Sequence, residues 1–104
     1  MTRSLQPIRL PEPDRVPGLQ EVADAFREAQ LRDVEGGTRY VAYVTDAQHV
    51  PVCRLELRGF EALAHFNAAM TGLGYLPRRE RFADEKVSVI VYRRDLELRV
   101  ITRT

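Results

Sequence analysis

Two histidines, one cysteine and fifteen arginines are the residues of this 104-residue chain whose chemistry could be put to work. His65 follows Glu61 by four positions, so on a helix the two side chains meet on one face. That spacing could begin a metal site or an acid–base pair. Zinc wants at least three protein ligands, and no third stands nearby, so the pair reads as a solvated ion pair. His49 lies in a predicted turn and reads as a surface residue. Cys53 shares a strand face with Leu55 and Leu57, where cysteine packs as a small hydrophobe. A nucleophilic thiol needs a lowered pKa and a base, and His49 would lie about 13 Å away along an extended chain. Gly36-Gly37 precedes a strand and Gly72-Leu73-Gly74-Tyr75 follows a helix, which is the wrong context for a phosphate cradle. No Gly-x-Ser-x-Gly, Cys-x-x-Cys or calcium loop is present, and the acids are scattered. The expectation is therefore no catalytic residue, no metal and no cofactor.

One stretch mixes charge with aromatic rings. Tyr75, Arg78, Arg79 and Arg81 lie on one predicted strand with Phe82, and Tyr92, Arg93 and Arg94 end the next. Single-stranded nucleic acid is commonly held by rings that stack bases on a sheet, with arginines on the phosphates. Tyr75, Arg78, Arg79, Arg81, Tyr92, Arg93 and Arg94 are accordingly the candidate nucleic-acid-binding residues. Alternation sorts them: Tyr75, Arg79 and Arg81 share one face, and Arg78, Glu80 and Phe82 the other. The competing reading puts Phe82 and Tyr92 in the core and leaves the arginines to guard strand edges against aggregation.

Charge elsewhere is balanced. The net charge is +1, but residues 1–38 carry five bases against seven acids and residues 75–104 carry eight against five. Lys86 is the single lysine, an arginine bias that a GC-rich genome produces as readily as selection for bidentate contacts. A hydrophobic content of 44% with 30% charged residues is that of a globular domain. One cysteine permits no intramolecular disulfide. The opening Met1-Thr2-Arg3-Ser4-Leu5-Gln6-Pro7 lacks the apolar run of a secretory signal, and no segment approaches a membrane span. The expected location is the cytoplasm, with no membrane partner.

The elements that must position these residues follow from periodicity. Pro7, Pro11, Pro13 and Pro17 mark residues 1–18 as an extended proline-rich arm ahead of a single domain over 19–104. Leu19, Val22, Ala23, Phe26 and Ala29 form a helical stripe, which predicts a helix over 18–33 ended before Gly36-Gly37. Residues 39–45 and 50–58 read as a hairpin turned at Asp46, with Pro51 placing the second strand at an edge. Leu63, Phe66, Met70 and Leu73 stripe a second helix between Gly59 and Gly74. Strands follow over 75–82, 86–93 and 96–103, and the middle one, apolar on both faces, is expected to be the most central. The fold class is α+β: a five-stranded, mostly antiparallel sheet in the order α-β-β-α-β-β-β, with both helices on one face.

From Val52 onward, strand, helix and three strands with Leu73-Gly74-Tyr75 at the helix–strand junction resemble one βαβββ module of the glyoxalase/bleomycin-resistance (vicinal oxygen chelate) superfamily. The resemblance covers about half of the chain and implies a related sheet curvature and a pairing of modules. The family's metal ligands, His or Glu on the strands, have no matching set here, and the helix and strand ahead of Val52 depart from the pattern.

Three functions are compatible with this sequence. The first is a small non-enzymatic binding or interaction module acting as a homodimer, because open strands and the outer residues Val41, Tyr43 or Tyr40 need covering. The second is single-stranded nucleic-acid binding through residues 75–103. The third is a small-molecule pocket between sheet and helices, with Tyr40, Tyr43 and His65 at its wall.

Overall fold

Proline and glycine punctuate the chain up to Gly18, and the first helix begins where they stop. The computed structural model describes residues 16–81 and 87–103. The proline-rich arm falls outside the described residues except for its last three, as do Phe82, the predicted turn Ala83-Asp84-Glu85, and Lys86.

Helix α1 spans Leu19–Gln30, with Gly18 as its N-cap, and buries Leu19, Val22, Ala23, Ala25, Phe26 and Ala29. It ends three residues short of the expected boundary. The cause is tertiary: Asp33 Oδ1 accepts the Arg58 backbone N–H at 3.0 Å, and the Val34 N–H donates to the Arg58 carbonyl at 3.1 Å. Strands β1, Arg39–Thr45, and β2, Pro51–Arg58, then form the hairpin. Its turn is organised by Asp46, whose Oδ1 accepts the N–H groups of Gln48 and Val50, both at 2.9 Å. His49 occupies the left-handed position of that turn with φ 63°.

Helix α2, Phe60–Gly72, starts at Gly59 and buries Ala62, Leu63, Phe66 and Met70. Strands β3, Leu76–Arg81, β4, Val87–Arg93, and β5, Glu97–Arg103, complete the chain. The result is an α+β fold with a five-stranded antiparallel sheet ordered β2-β1-β5-β4-β3.

The centre of the sheet is β5, not β4. β1 pairs with β5 through six residue pairs from Tyr40↔Thr102 to Thr45↔Glu97, which sets the last strand beside the first. Sequence distance between these strands is large, so no local pattern announces the pairing. β4 is nevertheless buried on both faces: Tyr92 joins the helix-side core, and Val89 and Val91 on the other side are 5% and 1% exposed. The order also separates the elements of the expected βαβββ module. Among the described residues β2 pairs only with β1, so β1 stands between β2 and the β3–β5 meander.

The core lies between the two helices and one sheet face. Alternation puts Tyr40, Ala42 and Val44 of β1, Leu55 and Leu57 of β2, and Leu98 and Val100 of β5 on that face, with Tyr92. Three rings organise its middle. Phe66 meets Phe26 edge-on at 6.3 Å and Tyr92 edge-on at 6.1 Å, so one α2 residue ties α1 to β4. The Tyr92 hydroxyl donates to Asn67 Oδ1 at 2.7 Å, which satisfies the one polar atom that this packing would strand.

Gly59 links β2 to α2 at φ 88°, ψ 148°, and a Cβ built there would lie 2.9 Å from the Cβ of Val34. That combination of dihedral angles is essentially closed to residues with a side chain, and holding one there costs about 1–3 kcal/mol. Gly59→Ala is expected to lower stability by at least that much in urea denaturation. Gly72, at the exposed end of α2 with open space around it, gives the opposite sign: Gly72→Ala gains about 0.4–1 kcal/mol. Equal effects at the two glycines would refute this account of the β2–α2 joint.

Candidate functional site

The face of the sheet opposite the core carries no helix among the described residues, and the pairing registers show what it presents. One row crosses all five strands as Arg54, Tyr43, Arg99, Val91 and Arg78. The next row runs Glu56, Val41, Ile101, Val89 and Glu80. A third holds Thr45, Glu97, Arg93 and Leu76, and Arg39 and Arg58 are paired at the β1–β2 end. With strands about 4.8 Å apart, the first row is about 19 Å long.

Its electrostatics are positive after internal pairing. Glu56 receives Arg39 through two contacts of 2.9 Å and lies 3.6 Å from Arg58. Glu97 sits between Arg99 at 2.8 Å and Arg93 at 3.0 Å. The hydrogen bond from Arg99, offset in part by desolvation and reinforced by Arg93, holds the Glu97 carboxyl below its usual range. Glu56 and Glu97 are thus each outnumbered by two guanidinium groups. Among the described residues Arg54 and Arg78 make no ion pair, so their charges remain available at the two ends of the first row. Tyr43 lies between Arg54 and Arg99 and is 46% exposed. Among the described residues it is the ring on this face that a ligand can reach.

The seven residues singled out from the sequence are divided by this geometry. Arg78 and Arg93 belong to the open face. Tyr75 and Tyr92 do not: both are 0% exposed and sit in the helix-side core, which removes them as stacking platforms. Arg79 pairs with Ile90, a residue packed against the core, so its position belongs to the helix side at the sheet edge; Arg81 holds the same parity, opposite Ser88. Arg94 lies in the β4–β5 turn. Its guanidinium stacks over Tyr75 at 5.4 Å, donates to the Leu73 carbonyl, and pairs with Glu21 at 3.3 Å and Asp95 at 3.1 Å. That is a clasp joining α1, the end of α2 and the turn. Tyr43 and Arg54 were legible only as an outer face of the hairpin, and what surrounds them depended on the β1–β5 pairing.

The remaining reactive groups are quiet. Desolvation pushes the Cys53 thiol up to about 11, so almost none of it is thiolate near neutral pH. His65 departs from the expected pairing with Glu61: its Nε2 lies 3.6 Å from Glu28 Oε2 on α1, beyond hydrogen-bond reach, and has no hydrogen-bond partner. The fold explains the change, because packing α1 against α2 brings Glu28 to the half-buried flank of α2 where His65 stands. Tyr40 is core rather than pocket wall. Among the described residues no three His, Cys, Asp or Glu side chains gather as a metal site, and no helix is long and apolar enough to cross a membrane.

Two of the four tyrosines are held protonated. Burial pushes Tyr92 up to about 12 from an ordinary value of 10.0. Burial also raises Tyr75, whose enclosed hydroxyl lacks a well-aligned partner; Asp95 adds to the shift, while Arg94 and the Leu96 backbone oppose it. For Tyr92 the folded state keeps its proton after the unfolded state has lost it. Stability is therefore unaffected by this group below pH 10.0 and is lost as pH rises from 10.0 toward about 12. Tyrosinate absorbance is expected to show a late fraction that appears together with loss of near-ultraviolet dichroism. A single early transition for all four rings would contradict the burial described.

No family model, curated protein or solved structure matches this chain.

Proposed function

We propose that the chain is a non-enzymatic binding module whose working surface is the sheet face away from the helices, on its β1–β2 side where Tyr43 is exposed, and that this face takes single-stranded nucleic acid. The observation that carries the reading is the row Arg54–Tyr43–Arg99–Val91–Arg78, in which the exposed Tyr43 ring lies between the guanidinium groups of Arg54 and Arg99, with Val91 buried between Arg99 and Arg78. A base stacks on Tyr43 while Arg54, Arg99 and Arg78 hold successive phosphates, and Val41 and Ile101 in the neighbouring row offer apolar contact to sugars and base edges. The glutamates keep the field local: Glu56 and Glu97 fix the orientation of four arginines and leave a surplus of positive charge.

The direct test is fluorescence anisotropy with a labelled oligothymidylate and an oligouridylate over a range of salt. Binding is expected at low salt, with log K falling by about 0.7 per phosphate neutralised for each decade of salt. No binding at low salt, or binding insensitive to salt, would overturn the proposal.

A further inference from the structure

Two valines on the sheet face away from the helices are closed off, although no described helix lies on that side. Val89 is 5% exposed and Val91 1%. Their sheet neighbours do not account for this. Ile101 stands on the central strand between Val41 and Val89, yet it and Val41 are half-buried rather than closed. Tyr43 on β1 is exposed, and Leu76 at the start of β3 is 71% exposed, so the cover is local to β4. Flanking side chains do not supply it either. Arg99, beside Val91 in its row, turns along its own strand to Glu97 at 2.8 Å, and Arg93 turns to the same carboxylate at 3.0 Å. What closes β4 is a segment of chain.

We infer that the proline-rich arm, residues 1–15, docks over β4 of its own chain, with Leu10 on Val91 and Ile8 on Val89. The described chain begins at Val16, which packs against the core. Two residues on, Gly18 stands against the β4–β5 turn, where a Cβ built on it would lie 3.2 Å from the Cβ of Asp95. The arm therefore leaves the domain beside this turn. From Asp95, Val91 is four residues back along β4 and Val89 six, about 13 and 20 Å of strand. From Val16, Leu10 is six residues back and Ile8 eight, about 20 and 26 Å of extended chain. The intervals match, and two residues are left over to round the end of the sheet. Pro7, Pro11 and Pro13 hold the stretch extended, which sets Ile8 and Leu10 on one side and Arg9 on the other. In the same register Glu12 falls over Arg93, so the acidic part of the arm meets a basic part of the face. The β3–β4 connection is too short for this role. Residues 82–86 are tethered at Arg81 and Val87, so their reach is about 10 Å, whereas Val91 lies about 13 Å along β4 from Val87. The docked arm leaves Arg54, Tyr43 and Arg99 open on one side with Arg78 on the other, whatever that face binds.

Nuclear Overhauser spectroscopy on the full-length chain with labelled methyl groups tests the docking without any substitution. Contacts are expected from the Leu10 methyls to Val91 and from the Ile8 methyls to Val89. An equal mixture of labelled and unlabelled protein, filtered for contacts between chains, is expected to show none of them. Absence of the contacts in the labelled protein overturns the inference. Their appearance in the filtered spectrum also overturns it, by assigning the arm to a second copy. Cysteine pairing in the C53S background reads the register. Leu10→Cys with Val91→Cys is expected to lose both free thiols on mild oxidation while the chain stays monomeric on a non-reducing gel. Leu10→Cys with Val41→Cys, on the same face two strands away, is expected to keep both thiols. Equal closure of the two pairs, or closure of neither, overturns the placement. Finally, Ile8→Asp with Leu10→Asp is expected to release the arm, so that a soluble paramagnetic agent relaxes the Val91 methyls as strongly as those of Ile101. Val91 relaxation that stays at its original level would count against the arm as the cover.

Discussion

Phe66→Ala is expected to cost about 3–5 kcal/mol, a large share of the roughly 5–15 kcal/mol that holds a domain of this size together. The ring is fully buried and meets Phe26 and Tyr92 edge-on, so its removal leaves a void that three elements line at once. Collapse into that void is hindered. The Tyr92 hydroxyl is anchored to Asn67, one residue along the same helix, and Phe26 is fixed by the α1 stripe. The loss therefore combines the transfer free energy of the ring, the cavity, and two aromatic contacts worth about 0.5–1.5 kcal/mol each. In thermal denaturation the midpoint is expected to fall on the order of 20 °C. Phe66→Leu keeps much of the volume and falls between the two. A loss under about 1.5 kcal/mol for the alanine variant would mean that the helices and the sheet are not packed as described.

Tyr43→Ala is expected to lower affinity for single-stranded nucleic acid about 5- to 150-fold, the range that corresponds to one stacked base. Arg54→Ala with Arg78→Ala acts differently: it is expected to reduce the slope of log K against log salt by about 1.4, two phosphates' worth. The separation between these effects is the informative part. Stacking on Tyr43 is short-ranged and nearly independent of salt, whereas the two end arginines act through released counterions. Arg79→Ala removes the same charge from the helix side of the sheet edge and is expected to change affinity less than twofold beyond the general electrostatic effect. Tyr43 is half exposed, so its replacement leaves the core intact and any loss reports on binding. Unchanged affinity in the Tyr43 variant would remove the ring from the site and with it the proposal.

The residues that local physics governs were legible. β1 occupies Arg39–Thr45 as its run of β-branched and aromatic residues predicts, and β2 is the edge strand that Pro51 implies. The stripes Leu19, Val22, Phe26 and Ala62, Leu63, Phe66, Met70 are the buried faces of the two helices. The errors have one origin. The end of α1 is set by Asp33 and Val34 reaching Arg58, and His65 turns to Glu28 because α1 packs beside it. These contacts join residues far apart in sequence.

The candidate site shows the same division. Alternation correctly separated Arg78 from Arg79 and Arg81, yet it could not say which face the helices would cover. Tyr75 and Tyr92 carried the aromatic and basic pattern that suggests stacking, and the helices took their face. By itself, then, the sequence determined the seven elements, their amphipathic sides and the absence of a recognisable catalytic motif, because periodicity and turn chemistry act over a few residues. Only the tertiary structure decided that β5 is central, that Arg54, Tyr43 and Arg99 stand in one row, and that three of the four tyrosines are core. The pairing of β1 with β5 produced the first two of these outcomes by joining strands more than fifty residues apart along the chain. The choice of sheet face by α1 and α2 produced the third, through burial that no local window of residues contains.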